Sequence, residues 1–227
     1  MAEGGQTTLV NQVFDKVFSL LMSGEIPLGG VVNEVVLAER FGVSRGPVRE
    51  AVMQLQGRGL IVKSPYLKAR VVELSVADMV EIFQLREAVE GMSVRLATMK
   101  MSDSEISDML AVLSNAGQAN AAQDNEGVVL DLHMRIAEGS GNNRIKSLLC
   151  DELYYLLRLY RARSGETPGR RSDANQEHWQ ILRAMKARDA DLAESLMRAH
   201  IAHATKSLQA VLKNDARAAQ AAKVNEA

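Results

Sequence analysis

The chain has a single cysteine, carries almost no net charge, and contains neither an internal repeat nor a long apolar run. With Cys150 alone among 227 residues, no intrachain disulfide can form. That sets the expectation of a reducing cytoplasmic home, with Cys150 as an ordinary core residue. No apolar stretch approaches the ~20 residues of a membrane span, and no signal peptide is expected at the start. A net charge of −1 excludes an overall basic character, so any surface for nucleic acid has to be local. The 47% hydrophobic and 24% charged content is ordinary for a soluble globular protein, and the length favours one large or two small domains.

One stretch is far from bland. Val43 to Leu60 reads VSRGPVREAVMQLQGRGL. Ser44 is a good N-cap, and Pro47 falls in the first turn, where a missing N–H costs little. Arg45 and Arg49 are spaced i, i+4 and so share a face, while Val48, Val52 and Leu55 form the opposite, apolar one. Before it, Val35–Phe41 reads as a short helix ending in the turn residue Gly42. Helix, glycine turn and second helix is the helix-turn-helix layout, whose second helix enters the major groove. After Gly59, the β-like runs 60–63 and 69–74 flank a turn at 65–68, predicting a two-stranded wing. Residues 40–70 hold seven basic residues against one acid, a local charge of +6. Such a stripe suits phosphate contacts and salt-sensitive binding; the bland alternative is a solvated helix and hairpin.

These residues, with Leu37-Ala38, Gly42 to Arg45, Pro47 to Ala51 and Gly59-Leu60, resemble the winged-helix domain of the GntR family of bacterial transcription regulators. The resemblance implies that Ser44, Arg45 and Arg49 meet DNA, with Arg45 and Arg49 on bases, and that the wing, with Lys68 and Arg70, enters the minor groove. The tip glycine that many members carry is replaced near Lys68.

The remainder reads as helix, with no strand-like alternation. Ser75 to Asp78 resembles a capping box, which puts a domain boundary near 74–76. Helices are expected over 78–100, 103–122, 125–139, 142–163, 173–187 and 189–212. The predicted fold is therefore mainly α: a winged helix-turn-helix domain over 8–75, an antiparallel bundle of about six helices over 76–212, and a disordered tail over 213–227. His133, His178 and His200 each lie on an apolar stripe of a different helix, so all three point toward the bundle interior. Arg86 does likewise and needs an anionic partner; Glu90, one turn on, or an anionic ligand would serve. His203 shares the His200 stripe.

Residues 78–205 resemble the helical effector domain of the FadR/VanR branch of the same family, on Leu85 to Glu90, His133 with Gly141-Asn142, Glu177-His178 and Asp189 to His200. The resemblance implies a divalent ion on His133, His178 and His200, completed by a carboxylate effector, with Arg86 lining the pocket; His203 reads as a neighbour in the pocket wall or an ordinary partly buried histidine. Three imidazoles with an open position suit Zn²⁺ or Ni²⁺. The chain departs from the pattern at Val129, where metal-binding members carry an aspartate. Asp131 does not replace it, being two residues from His133 and pointing elsewhere.

The expected function is a ligand-responsive repressor that binds a short palindromic operator as a homodimer and answers to a small organic acid. A metal-free or acyl-CoA-responsive regulator is the alternative. A metal-dependent hydrolase tethered to DNA is the remote one, with Glu177 as its only candidate base; but adjacent helical residues diverge by about 100°, which turns Glu177 away from any ion on His178.

Overall fold

The computed structural model describes residues 8–64, 67–73, 75–118, 125–164 and 170–225. It divides into two compact units, one of residues 1–74 with 152–163 and one of 75–151 with 164–227. Each is built around its own apolar interior.

In the first unit α1 (Leu9–Met22), α2 (Glu34–Phe41) and α3 (Arg45–Gly57) precede an antiparallel pair, β1 (Ile61–Val62) and β2 (Arg70–Val71). Asn33 caps α2 by accepting from the Val35 and Val36 amides at 3.1 and 3.4 Å. Gly42 ends α2 in the left-handed region at φ +66°, a conformation glycine adopts without steric cost. The apolar stripe of α3 is buried as its spacing predicts, with Val48, Ala51, Val52 and Leu55 at 2% exposure or less. The strands are shorter than the β-like runs suggested. β2 is also bridged on its other side, Val31 to Arg70, and the Val32 amide donates to the Ala69 carbonyl at 2.8 Å. A third extended segment therefore braces the wing's base. The expected wing turn includes positions 65 and 66, which lie outside the described residues.

The second unit is helical: α4 (Val76–Lys100), α5 (Asp103–Gln118), α6 (Asn125–Gly139), α7 (Asn143–Lys146), α9 (Arg170–Lys186) and α10 (Ala190–Asn225). The Ser75 hydroxyl accepts from the Asp78 amide at 2.9 Å and starts α4. Ser102 and Glu105 form a reciprocal capping box at α5, with bonds of 2.7 and 3.2 Å. The Arg188 guanidinium donates to the Thr98 and Met101 carbonyls at 2.7 and 2.6 Å, which satisfies the end of α4 from the α9–α10 turn. The chain is mainly α, as its pattern predicts.

Two expectations are corrected. The helix predicted over 142–163 is three pieces: α7, a π-helical turn (Ser147–Glu152) and α8 (Tyr154–Ser164). A π turn inserts extra backbone into the helical path and rotates the phase of the turns downstream of it. α8 belongs to the first unit rather than to the bundle. Leu159 is fully buried in the winged-helix core, and the Tyr155 ring meets those of Phe14 and Phe18 edge-on, both at 5.0 Å between centroids. The second correction is the tail, since α10 continues to Asn225. The alanines at 216, 218, 219, 221 and 222 have the highest helix propensity of any residue.

The α8 placement predicts that Leu159→Ala destabilises the DNA-reading unit by roughly 2–5 kcal/mol, the cost of a buried leucine-sized cavity. Urea unfolding followed through fluorescence of a labelled operator checks this. Unchanged stability of that unit would contradict the placement.

Candidate DNA-binding face and histidine centre

On the first unit, Ser44, Arg45 and Arg49 are exposed at the start of α3, opposite its buried stripe. Ser44 has the extended backbone of an N-cap, but its side chain makes no capping hydrogen bond, which differs from the sequence expectation. Lys68 is exposed on the wing. Arg70 is also exposed, with one N–H committed to the Gly29 carbonyl at 2.7 Å. The basic stripe is narrower than the residue count implied. Arg58 turns inward, its guanidinium 4.8 Å from the Phe14 ring and 5.3 Å from the Tyr155 ring. Arg40 is paired with Glu25, and Lys63 lies 3.9 Å from Glu34. Arg158 stacks over Phe18 at 5.2 Å, so it is part of the packing.

In the second unit, α6, α9 and α10 bring His133, His178 and His200 together. All three are buried, at 7%, 0% and 1% exposure. His178 Nε2 lies 3.3 Å from His133 Nε2 and 3.2 Å from His200 Nε2. Two ligand nitrogens on a tetrahedral zinc, each about 2.0–2.1 Å from the ion, stand about 3.3 Å apart. The spacing of the rings is thus the spacing of a metal site, and these three histidines could hold an ion.

Hydrogen bonding on the far side of the rings aims them. His133 Nδ1 bonds Glu90 Oε2, and His200 Nδ1 bonds Glu177 Oε2 at 2.7 Å. Burial pushes the Glu90 carboxyl up, but the Arg86 charge and then His133 outweigh it and hold the group well below the usual carboxylate range. Burial opposes ionisation of Glu177 too, and its bonds to His200, His203 and Arg170 bring it down to about 2. An ionised carboxylate only accepts, so each Nδ1 must carry the proton. In the neutral ring, Nε2 is then a bare lone pair. Burial holds His200 neutral, lowering it to about 4 against the bond to Glu177. Histidine ligands oriented by outer carboxylates in this way are the usual second layer of a metal site.

The remaining expected site residues fall around this core. Arg86 is buried and donates to Glu90 Oε1 through Nε at 2.7 Å, with a second nitrogen at 2.6 Å. Its anionic partner is therefore a protein carboxylate. His203 is half-exposed, and its Nδ1 meets Glu177 Oε1 at 2.7 Å; its ring is not part of the three-nitrogen cluster. Arg170 completes the set, 2.8 Å from Glu177 Oε2. Arg170 and Glu177 are i, i+7 on α9 and His200 and His203 are i, i+3 on α10, but no spacing within either helix joins the two pairs, so the role of Glu177 was missed. It sits behind His200, held by three cationic or N–H partners, which leaves it no role as a base. The side chains of Val129 and Asp131 lie outside the described residues. Cys150 is buried and pushed up to about 11 by burial, an unreactive thiol.

The buried His200 generates a pH dependence. Its folded pKa lies below the ordinary 6.5, so protonation favours the unfolded chain; the stability is complete above 6.5 and drains away as pH falls toward about 4. In chelator-treated protein, the bundle's melting midpoint should fall across that window. His200→Gln should flatten the slope, and an unchanged slope would place the titration elsewhere.

Comparison with known proteins agrees with both halves. Residues 9–65 match the family model of bacterial regulatory proteins of the gntR family, and residues 81–203 match the FCD domain. A probable D-xylose utilization operon transcriptional repressor of Paenarthrobacter nicotinovorans is 29% identical over 202 residues, 87% of each chain. The transcriptional repressor GlaR of Escherichia coli is 27% identical over 177 residues, 73% of this chain and 80% of that one. Among solved structures, E. coli McbR/YncC superposes with a TM-score of 0.74 at 21% identity, covering 89% of this chain and 98% of that one, a likeness of fold. The matched domains and relatives are those of transcriptional regulators and not of enzymes. Among the described residues no helix is long and apolar enough to cross a membrane. The chain belongs to the gntR family of bacterial DNA-binding transcriptional regulators, in the group that carries an FCD domain behind the helix-turn-helix.

Proposed function

We propose that this regulator is a metal-dependent repressor that binds a short palindromic operator as a homodimer and is released by a small organic acid. The observation that carries the reading is the meeting of three buried Nε2 atoms, two of them on rings aimed by carboxylates. One Nε2–H on His178 can point at one neighbour only, so protons alone leave lone pair facing lone pair. A Zn²⁺ or Ni²⁺ ion satisfies all three, and when bound it supplies a Lewis-acidic position for an effector carboxylate. Glu90 and Glu177 hold the rings, and Arg86 holds Glu90. The repressor relatives support repression as the sign of control. No observation favours acyl-CoA, whose length a cluster of three buried rings does not call for.

Reading DNA falls to Arg45 and Arg49, with Ser44, Lys68 and Arg70 on phosphates or the minor groove. A palindromic operator demands two-fold protein symmetry. α4 offers a face for a second copy: Leu85, Met92 and Met99 are exposed at seven-residue spacing, with Val89 and Leu96 half-exposed between them. Such a seam is what a helix presents to a helix. Effector binding and operator binding must then be reciprocally coupled.

Three outcomes are expected. Arg45→Ala loses roughly 1–3 kcal/mol of discrimination at one base pair per half-site; a uniform loss across sequences would make Arg45 a phosphate contact. Replacing His133, His178 and His200 together by Ala abolishes effector release while leaving the effector-free operator complex largely intact, measured by fluorescence anisotropy. An undiminished response in that triple variant would remove the histidine centre from the mechanism. Met92→Lys yields monomers in analytical ultracentrifugation, and a persisting dimer would move the interface off α4.

A further inference from the structure

We infer that Met53 reads the 5-methyl group of a thymine in the major groove, a third base contact on α3 beside those of Arg45 and Arg49. The inference rests on the reading of α3 as the helix that enters the groove. It goes beyond that reading, since a guanidinium recognises acceptor atoms and a thioether does not. Its ground is the position of one side chain. Met53 is 61% exposed and lies one turn beyond Arg49 and two beyond Arg45, so the three follow one another along the outer side of α3. The opposite side is the buried stripe of Val48, Ala51, Val52 and Leu55.

Nothing on the helix accounts for a methionine at this place. The residues one turn away are Arg49, Glu50, Gln56 and Gly57, all exposed, and none offers an apolar partner. Gly46, seven residues earlier, and Gly57, four later, share the angular sector of Met53 and carry no side chain. A Cβ added at Gly57 would meet nothing within 4 Å, and one at Gly46 only the Ser44 hydroxyl at 4.0 Å. Met53 therefore stands out from an open and otherwise polar face.

The major groove presents hydrogen-bonding edges at every base pair but a single apolar group, the C5-methyl of thymine. A thioether has no proton to donate and accepts only weakly, so the polar edges give Met53 little to recognise. The methyl group matches it, and an unbranched side chain with a polarisable sulfur adapts to the contact. Eight residues span about 12 Å of helix axis, the length of roughly three to four base-pair steps at ~3.4 Å each. A half-site thus holds a guanine for Arg45 and, within about four base pairs of it, a thymine for Met53.

The test uses the full-length protein and a duplex that it selects from a pool of random sequences. Each thymine of the selected site is replaced in turn by deoxyuridine, which still pairs with adenine and lacks only the methyl group. Affinity is read by fluorescence anisotropy. The unaltered chain should lose about fourfold per half-site at one thymine, the value of one buried methyl group. Met53→Ala should bind the unmodified duplex about fourfold more weakly and become indifferent to the replacement, while Met53→Leu, still apolar, keeps the preference. Because the side chain is exposed, neither substitution should move the thermal melting midpoint, which circular dichroism checks. A selected half-site without thymine, no thymine sensitive to loss of its methyl, or a sensitivity undiminished in folded Met53→Ala overturns the inference. Arg45→Ala separates this from the reading beneath it. Base discrimination lost in that variant keeps α3 in the groove whatever Met53 does, and discrimination retained in both Arg45→Ala and Met53→Ala overturns both.

Discussion

Three imidazole nitrogens meeting in a buried space is the constraint on which the bundle's chemistry depends. Lone pairs about 3.3 Å apart repel unless something positive lies among them. The rings cannot relax by rotating, because Glu90 holds His133 and Glu177 holds His200. Those carboxylates are in turn fixed by Arg86 and Arg170. A chain of charge-assisted bonds thus runs from α4 and the start of α9 to the centre of the bundle. Its end product is a set of three ring nitrogens from three different helices facing one another. The helices α6, α9 and α10 share one site, so what fills that site bears on their packing.

The first unit has a different economy. Its core is apolar, drawn from α1, α2, α3 and the wing, and α8 completes it. α8 lies between bundle helices in sequence, yet belongs to the DNA-reading unit. The chain therefore passes between the two units at 74–75, 151–152 and 163–164, the second passage lying within the π-helical turn. Two units joined three times by the chain have more than one covalent route by which a change in the bundle can bias the reading helix. Arg58 and Arg158 reinforce that unit by stacking on its aromatic rings. Arg58 thus adds packing where a bare count of charge over 40–70 suggested a DNA contact.

The sequence was most informative where side-chain periodicity maps directly onto a buried face. The stripe of Val48, Val52 and Leu55 on α3, the caps at Ser75 and Ser102, and the inward direction of the three histidines all follow from local spacing. The identity of Arg86's partner was half legible, since Glu90 was one of two candidates left open. What was not legible depended on long-range packing. The π turn has no signature in residue type, so the break between α7 and α8 could not be read from a continuous helical pattern. The same is true of Ser44, whose cap-like type says nothing about which way the hydroxyl turns. The convergence of Nε2 atoms, as distinct from three separate core histidines, required α6, α9 and α10 to be placed together. Glu177 was weighed as a base because it neighbours His178. Its actual neighbours, His200 and His203, come from α10, a relation visible only when the helices are docked.

The central claim is that a metal ion sits among His133, His178 and His200. Anomalous diffraction from crystals of the purified protein, collected on both sides of the zinc and nickel absorption edges, tests it directly. The account predicts one strong anomalous peak per chain, about 2.0–2.1 Å from all three Nε2 atoms, with a non-protein oxygen completing its shell. The absence of any anomalous peak in crystals grown with either metal, the three rings being bridged by water or by one another, would contradict it.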